Sequence, residues 1–115
     1  MLYDVSKVRI FIRPGHTDLR KAINGLSVLI QEEMESDPFS GSLYVFCNKD
    51  KRLLKIIYWD KNGFCLWQKR LEKHKFPWPS TEEDVLEIDY EKIQMLLQGI
   101  DFWNAHTSLA YKSVM

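Results

Sequence analysis

Four cations, Lys69, Arg70, Lys73 and Lys75, crowd into the stretch KRLEKHK with Glu72 as the one acid among them. Lysine and arginine at that density neutralise phosphates, and the aromatic residues around them, Trp59, Phe64, Trp67, Phe76 and Trp78, bring ring faces on which bases can stack. The opposing reading is structural: aromatic residues pack strands together across a sheet, and lysines keep an exposed sheet soluble. A second concentration of charge, Arg20 and Lys21 behind Arg13, stands where a helix is expected to begin. The partial positive charge of a helix N-terminus opposes cations, so an anion must compensate. It is either an internal carboxylate such as Asp18 or a phosphate held by Arg13, Arg20, Lys21 and the free amides of the first turn.

Signatures of catalysis are missing from the string. It has no GxSxG, no phosphate-cradling GxxxxGKS/T, no GxGxxG and no HExxH. His16, His74 and His106 fall in separate segments without helix-face spacing. Cys47 and Cys65 lack the CxxC pairing that would make them zinc ligands beside His74. We therefore expect no catalytic residue, no metal and no cofactor.

Charge is distributed unevenly beneath a neutral total. The 16 Lys and Arg balance 16 Asp and Glu, yet Lys49 to Lys75 carries nine cations against Asp50, Asp60 and Glu72, while Glu82 to Asp101 sets seven acids against Lys92. A DNA-binding protein must collect the first group on a face free of the second. The two cysteines sit in strand-like runs with no secretory leader ahead of them, which reads as reduced, buried thiols in a cytoplasmic protein. No apolar run approaches the roughly 18 residues of a membrane span.

The positioning elements follow from periodicity. A chain of 115 residues with 45% hydrophobic content suits one domain with a real core, expected over 1–102, followed by a poorly ordered tail over 103–115. KVRIFIR alternates as a strand, with Val8, Ile10 and Ile12 on one side. Thr17 or Asp18 then caps a long helix, about Asp18 to Glu35, whose Leu19, Ile23, Leu26, Ile30 and Met34 recur at helical spacing through Asn24-Gly25. SLYVFC, LLKIIYW and FCLWQKRL read as three strands joined by NKDKR and DKNG, where Asn62 or Gly63 can take the positive φ of a tight hairpin. The prolines of FPWP end the last of them, and VLEI forms a short further strand. Asp89 caps a second, shorter helix with Ile93, Leu96 and Leu97 on one face and Gly99 as its stop. The expected fold is α+β, in β-α-β-β-β-β-α order. An antiparallel sheet of four to five strands carries the long helix on one face and the short C-terminal helix at an end.

Four ordered strings, DLRKAINGLSVLIQ, DPFSGSLYVFCN, KIIYWDKNGFCLWQKRLEKHKFPWP and LLQGIDF, together resemble one family, from about Lys7 to Phe102. It is the short accessory protein, TnpB in type, from the second reading frame of insertion-sequence-sixty-six bacterial mobile elements. The matching positions are Asp18, Leu19, Arg20, Lys21 and Gly25, then Tyr58, Trp59, Asp60, Gly63, Leu66, Lys69, Arg70 and Leu71. The resemblance implies a part in DNA transposition beside a separate transposase that cuts and joins strands, and it supplies no catalytic residue. Two roles suit it. One is DNA contact, at the element ends, through Arg13, Arg20, Lys21, Lys69, Arg70, Lys73 and Lys75. The other is an adaptor whose aromatic hairpin or tail docks on the transposase without touching DNA.

Overall fold

The computed structural model describes residues 4–80 and 84–101. Glu82, His106 and the tail expected over 103–115 lie outside the described residues. Five strands and two α-helices alternate in the expected order: β1 (Ile10–Ile12), α1 (Ile23–Glu32), β2 (Leu43–Cys47), β3 (Leu53–Asp60), β4 (Gly63–Arg70), β5 (Leu86–Ile88) and α2 (Tyr90–Leu97). Among the described residues no helix is long and apolar enough to cross a membrane.

The strands form one sheet in the order β4-β3-β2-β1-β5. It is mostly antiparallel, with β1 and β2 as its parallel pair, Ile10 beside Leu43 and Ile12 beside Val45. That pairing arises because the chain between them crosses over one face, through α1, and re-enters the sheet from the end at which β1 began. Hydrophobic alternation then sorts the side chains. Ile10, Ile12, Leu43, Val45, Cys47, Leu54, Ile56 and Tyr58 pack with Ile93 and Leu96 of α2 and with Phe76 and Trp78. Tyr44, Phe46 and Ile57 pack with Leu19, Leu26, Ile30 and Met34 on the α1 side. The helices thus cover opposite faces, and α2 lies across a face rather than at an end. Each fully buried aliphatic chain contributes about 1.5–3 kcal/mol of transfer free energy.

Two local expectations shift for identifiable reasons. α1 spans ten residues, beginning after Ala22 instead of at Asp18, because residues 18–20 make bonds that compete with a helix. The Asp18 carboxylate accepts from the Arg20 amide at 3.0 Å, and the Leu19 carbonyl accepts from Lys55 Nζ at 2.7 Å. In the β3–β4 hairpin the left-handed residue is Lys61 (φ 58°), with Asn62 and Gly63 at negative φ. α2 begins and ends as expected: Asp89 accepts from Lys92 N at 2.8 Å, and Gly99 adopts φ 78°.

After β4 the chain forms a strap over the end of the sheet. Leu71 N donates to Arg52 O at 2.8 Å and Phe76 N to Lys51 O at 2.7 Å. Trp78 Nε1 then donates to Gly15 O at 2.8 Å and to Arg13 O at 3.1 Å, while Gly15 N reaches back to Pro79 O at 2.9 Å. β4 ends at Arg70, ahead of Pro77 and Pro79, so the prolines expected to end it lie instead within the strap, which ties the β4 edge to the end of β1.

Candidate nucleic-acid interface

The β2–β3 loop presents cations because one side chain folds it. Asn48 Oδ1 accepts from the amides of Arg52 and Leu53, each at 3.1 Å, and Lys51 closes the turn in the left-handed conformation at φ 61°. Lys49 and Lys51 are left exposed. The two strap bonds to Lys51 and Arg52 set this loop against residues 71–76, where Lys73, His74 and Lys75 are also exposed. Arg52 Nη1 donates to Glu72 O at 3.1 Å, and Arg70 pairs with the Glu72 carboxylate at 3.3 Å. One end of the sheet thus gathers Lys49, Lys51, Arg52, Arg70, Lys73 and Lys75. Sequence reasoning missed Lys49, Lys51 and Arg52 as site residues. Their signal was the basic string NKDKR itself, but its adjacency to the strap depends on backbone bonds between distant segments.

The other expected site residues have distinct surroundings. Lys69 is turned inward across β4, and its ammonium donates to Leu97 O, at the C-terminus of α2, at 2.8 Å. Arg13 is only 23% exposed. It donates to Thr17 Oγ1 at 2.8 Å and His16 O at 3.1 Å and pairs with Glu33. The groove around it is lined by Glu33, Glu35 and Asp84, an acidic setting that disfavours phosphate. Arg20 projects into solvent but grips Asp18 through two nitrogens, at 2.9 and 2.7 Å. These bonds hold the Asp18 carboxyl well below the usual carboxylate range and raise the Arg20 guanidinium. Lys21 is exposed, its stem lying so close to Gly25 that an added Cβ there would sit 3.1 Å from Lys21 Cβ. Arg20 belongs with the loop all the same. His16, Asp18, Arg20, Asn48, Lys49 and Asp50 line a common groove of about 410 Å³.

Two acids of the C-terminal part are engaged away from the basic end. Glu87 accepts from Arg9 at 2.8 and 2.9 Å across the β1–β5 pair, and Asp89 is occupied in capping α2. Among the described residues no ion pair joins Asp84–Glu91 to Lys69–Lys75.

The aromatic residues divide as well. Tyr58, Phe76 and Trp78 are buried, and Trp67 packs partly buried against the α2 side of the core. Trp59 and Phe64 meet near the hairpin turn, 5.0 Å apart, and Phe39 covers both, 5.0 Å from Trp59 and 5.3 Å from Phe64. Phe39 is 53% exposed and Leu66, on the same edge strand as Phe64, is 40% exposed. The hairpin therefore has a basic end and an apolar end.

The family described as IS66 Orf2 like protein matches residues 8–107. Two proteins of Sinorhizobium fredii are similar to the chain. Uncharacterized protein y4hO is 39% identical over 102 residues, covering 89% of this chain and 89% of its own length. Uncharacterized protein y4jC is 34% identical over 95 residues, covering 83% of this chain and 81% of its own. No solved structure matches.

Proposed function

The chain belongs to the IS66 Orf2-like family, and on that premise we propose that it is a non-catalytic accessory factor in transposition of a bacterial insertion element, contacting DNA through the basic end of its sheet. The contact residues are Lys49, Lys51, Arg52, Arg70, Lys73 and Lys75, with Arg20 and Lys21 continuing the surface across the groove. Lys69 and Arg13 serve the scaffold. The observation that carries this reading is the lacing of the strap to the β2–β3 loop, at 2.7 and 2.8 Å. It merges two basic segments into one surface on which no acid of the segment Asp84–Glu91 forms an ion pair. Strand cleavage and joining fall to the transposase of the same element.

The test is binding to element-end duplex and to scrambled duplex over a salt series, with and without that transposase. Phosphate contacts make affinity fall steeply with salt, and reversing Lys73 and Lys75 to Glu lowers it by about tenfold or more. Absence of any shift by the protein alone, together with co-purification with the transposase, overturns DNA contact.

The apolar cluster of exposed Phe39 and Leu66 with half-buried Trp59 and Phe64 favours a second reading, in which the apolar end of the hairpin docks on the transposase. The two surfaces lie at opposite ends of β4, so the readings are compatible. Phe39→Ser with Leu66→Ser disrupts co-purification if this docking occurs and leaves it intact if it does not.

A further inference from the structure

We infer that the basic end tracks the phosphate backbone of duplex DNA without reading its sequence; the inference rests on the DNA-contact reading above and specifies its ligand. Three observations carry it. First, the rings near the cations are unavailable. Phe76 and Trp78 are 1% and 7% exposed; of the exposed rings among the described residues, Phe39 stands with Trp59 and Phe64 at the opposite end of the hairpin and Tyr90 opens α2. Single-strand binders interleave exposed aromatic platforms with their cations; the cations of this surface have no such platform beside them.

Second, the arginines are engaged. Base edges are read most often by arginine, whose planar fork matches guanine. Here Arg20 is held by Asp18, Arg52 by Glu72 O and Arg70 by the Glu72 carboxylate. Lys49, Lys51, Lys73 and Lys75 form no ion pair or side-chain hydrogen bond among the described residues. Free lysines are mobile point charges, suited to phosphate rather than to base edges.

Third, among the described residues neither α-helix is offered to a groove. α1 contains neither Lys nor Arg. α2 contains Lys92 alone, and its C-terminal carbonyl at Leu97 faces the Lys69 ammonium. A helix reading the major groove brings side chains that contact base edges, and neither helix has a basic row with which to do so.

The experiment compares the full chain on element-end duplex, scrambled duplex and an oligo-dT strand of equal length, by fluorescence anisotropy at one salt concentration. The two duplexes are expected to bind within about threefold of each other, the single strand at least about fivefold more weakly. Lys73→Glu with Lys75→Glu should weaken both duplexes by the same factor. A preference of about tenfold or more for the element end, or tighter binding to oligo-dT, overturns the inference while sustaining DNA contact. Binding to none of the three overturns DNA contact itself, and the inference with it.

Discussion

The ammonium of Lys69 lies 2.8 Å from the carbonyl oxygen of Leu97, the last residue of α2. A cation at that position satisfies a carbonyl the helix cannot pair and complements the negative end of its dipole. Lys69 also stands opposite Leu54 in the β3–β4 ladder, so one side chain joins the edge strand to the helix above it. Lys69→Met keeps most of the stem and removes the ammonium. It should lower stability by about 0.5–2 kcal/mol in urea denaturation while changing DNA affinity by less than about twofold. Unchanged stability would show that the bond contributes nothing.

The bonds of Trp78 to Arg13 O and Gly15 O anchor the strap. Trp78→Phe removes the donor from both carbonyls and should cost about 1–3 kcal/mol. Hydrogen exchange should then accelerate at the Gly15 amide, which donates to Pro79 O. Protection equal to that of the parent chain would mean the backbone bond holds the strap by itself.

Burial pushes the Cys47 thiol up to about 12 from its usual 9.0. A raised value means the fold favours the protonated thiol. The associated stability is complete below about pH 9 and is lost as pH rises toward 12. Cys47→Ala should flatten that part of the alkaline stability profile. In the parent chain at neutral pH a thiol reagent should modify the half-buried Cys65 first and Cys47 only on unfolding. Equal labelling rates would contradict this account.

On the DNA-contact reading proposed above, Asp18 competes with DNA for Arg20. Its carboxyl is depressed by the Arg20 hydrogen bonds, so it stays ionised through the neutral range, and the pairing is lost only as pH falls below the ordinary carboxylate range. Asp18→Asn removes a negative charge and frees the guanidinium. DNA affinity should rise about two- to fivefold with a steeper salt dependence. A fall in affinity would show that Asp18 instead orients Arg20 for contact.

Local chemistry made much of this fold legible. Asp89 and Gly99 delimit α2 because a cap and a left-handed stop each act within a few residues, and β2 reads as an unbroken apolar run because it is buried on both faces, whereas β4 alternates because one of its faces is exposed. The parallel seating of β1 beside β2 was not legible, since nothing in IFI distinguishes a neighbour at Leu43 from any other apolar strand. The start of α1 was misplaced because Lys55, a residue far along the chain, takes the Leu19 carbonyl. For the candidate site, Arg70, Lys73 and Lys75 were readable as surface cations, whereas Lys69 becomes a helix cap only through tertiary packing. Lys49, Lys51 and Arg52 join the surface through backbone bonds that no composition or spacing encodes.

The seating of β1 also bears on how the molecule assembles. β2, β3 and β4 follow one another through short loops, so that meander can form early, but β1 must find Leu43 on one side and Ile88 on the other. Contacts so distant in sequence form slowly. A newly made chain is thus expected to possess its Asn48–Arg52 loop before the strap, anchored on Gly15, can settle against it. The complete basic surface becomes a late product of folding, tied to the docking of a three-residue strand.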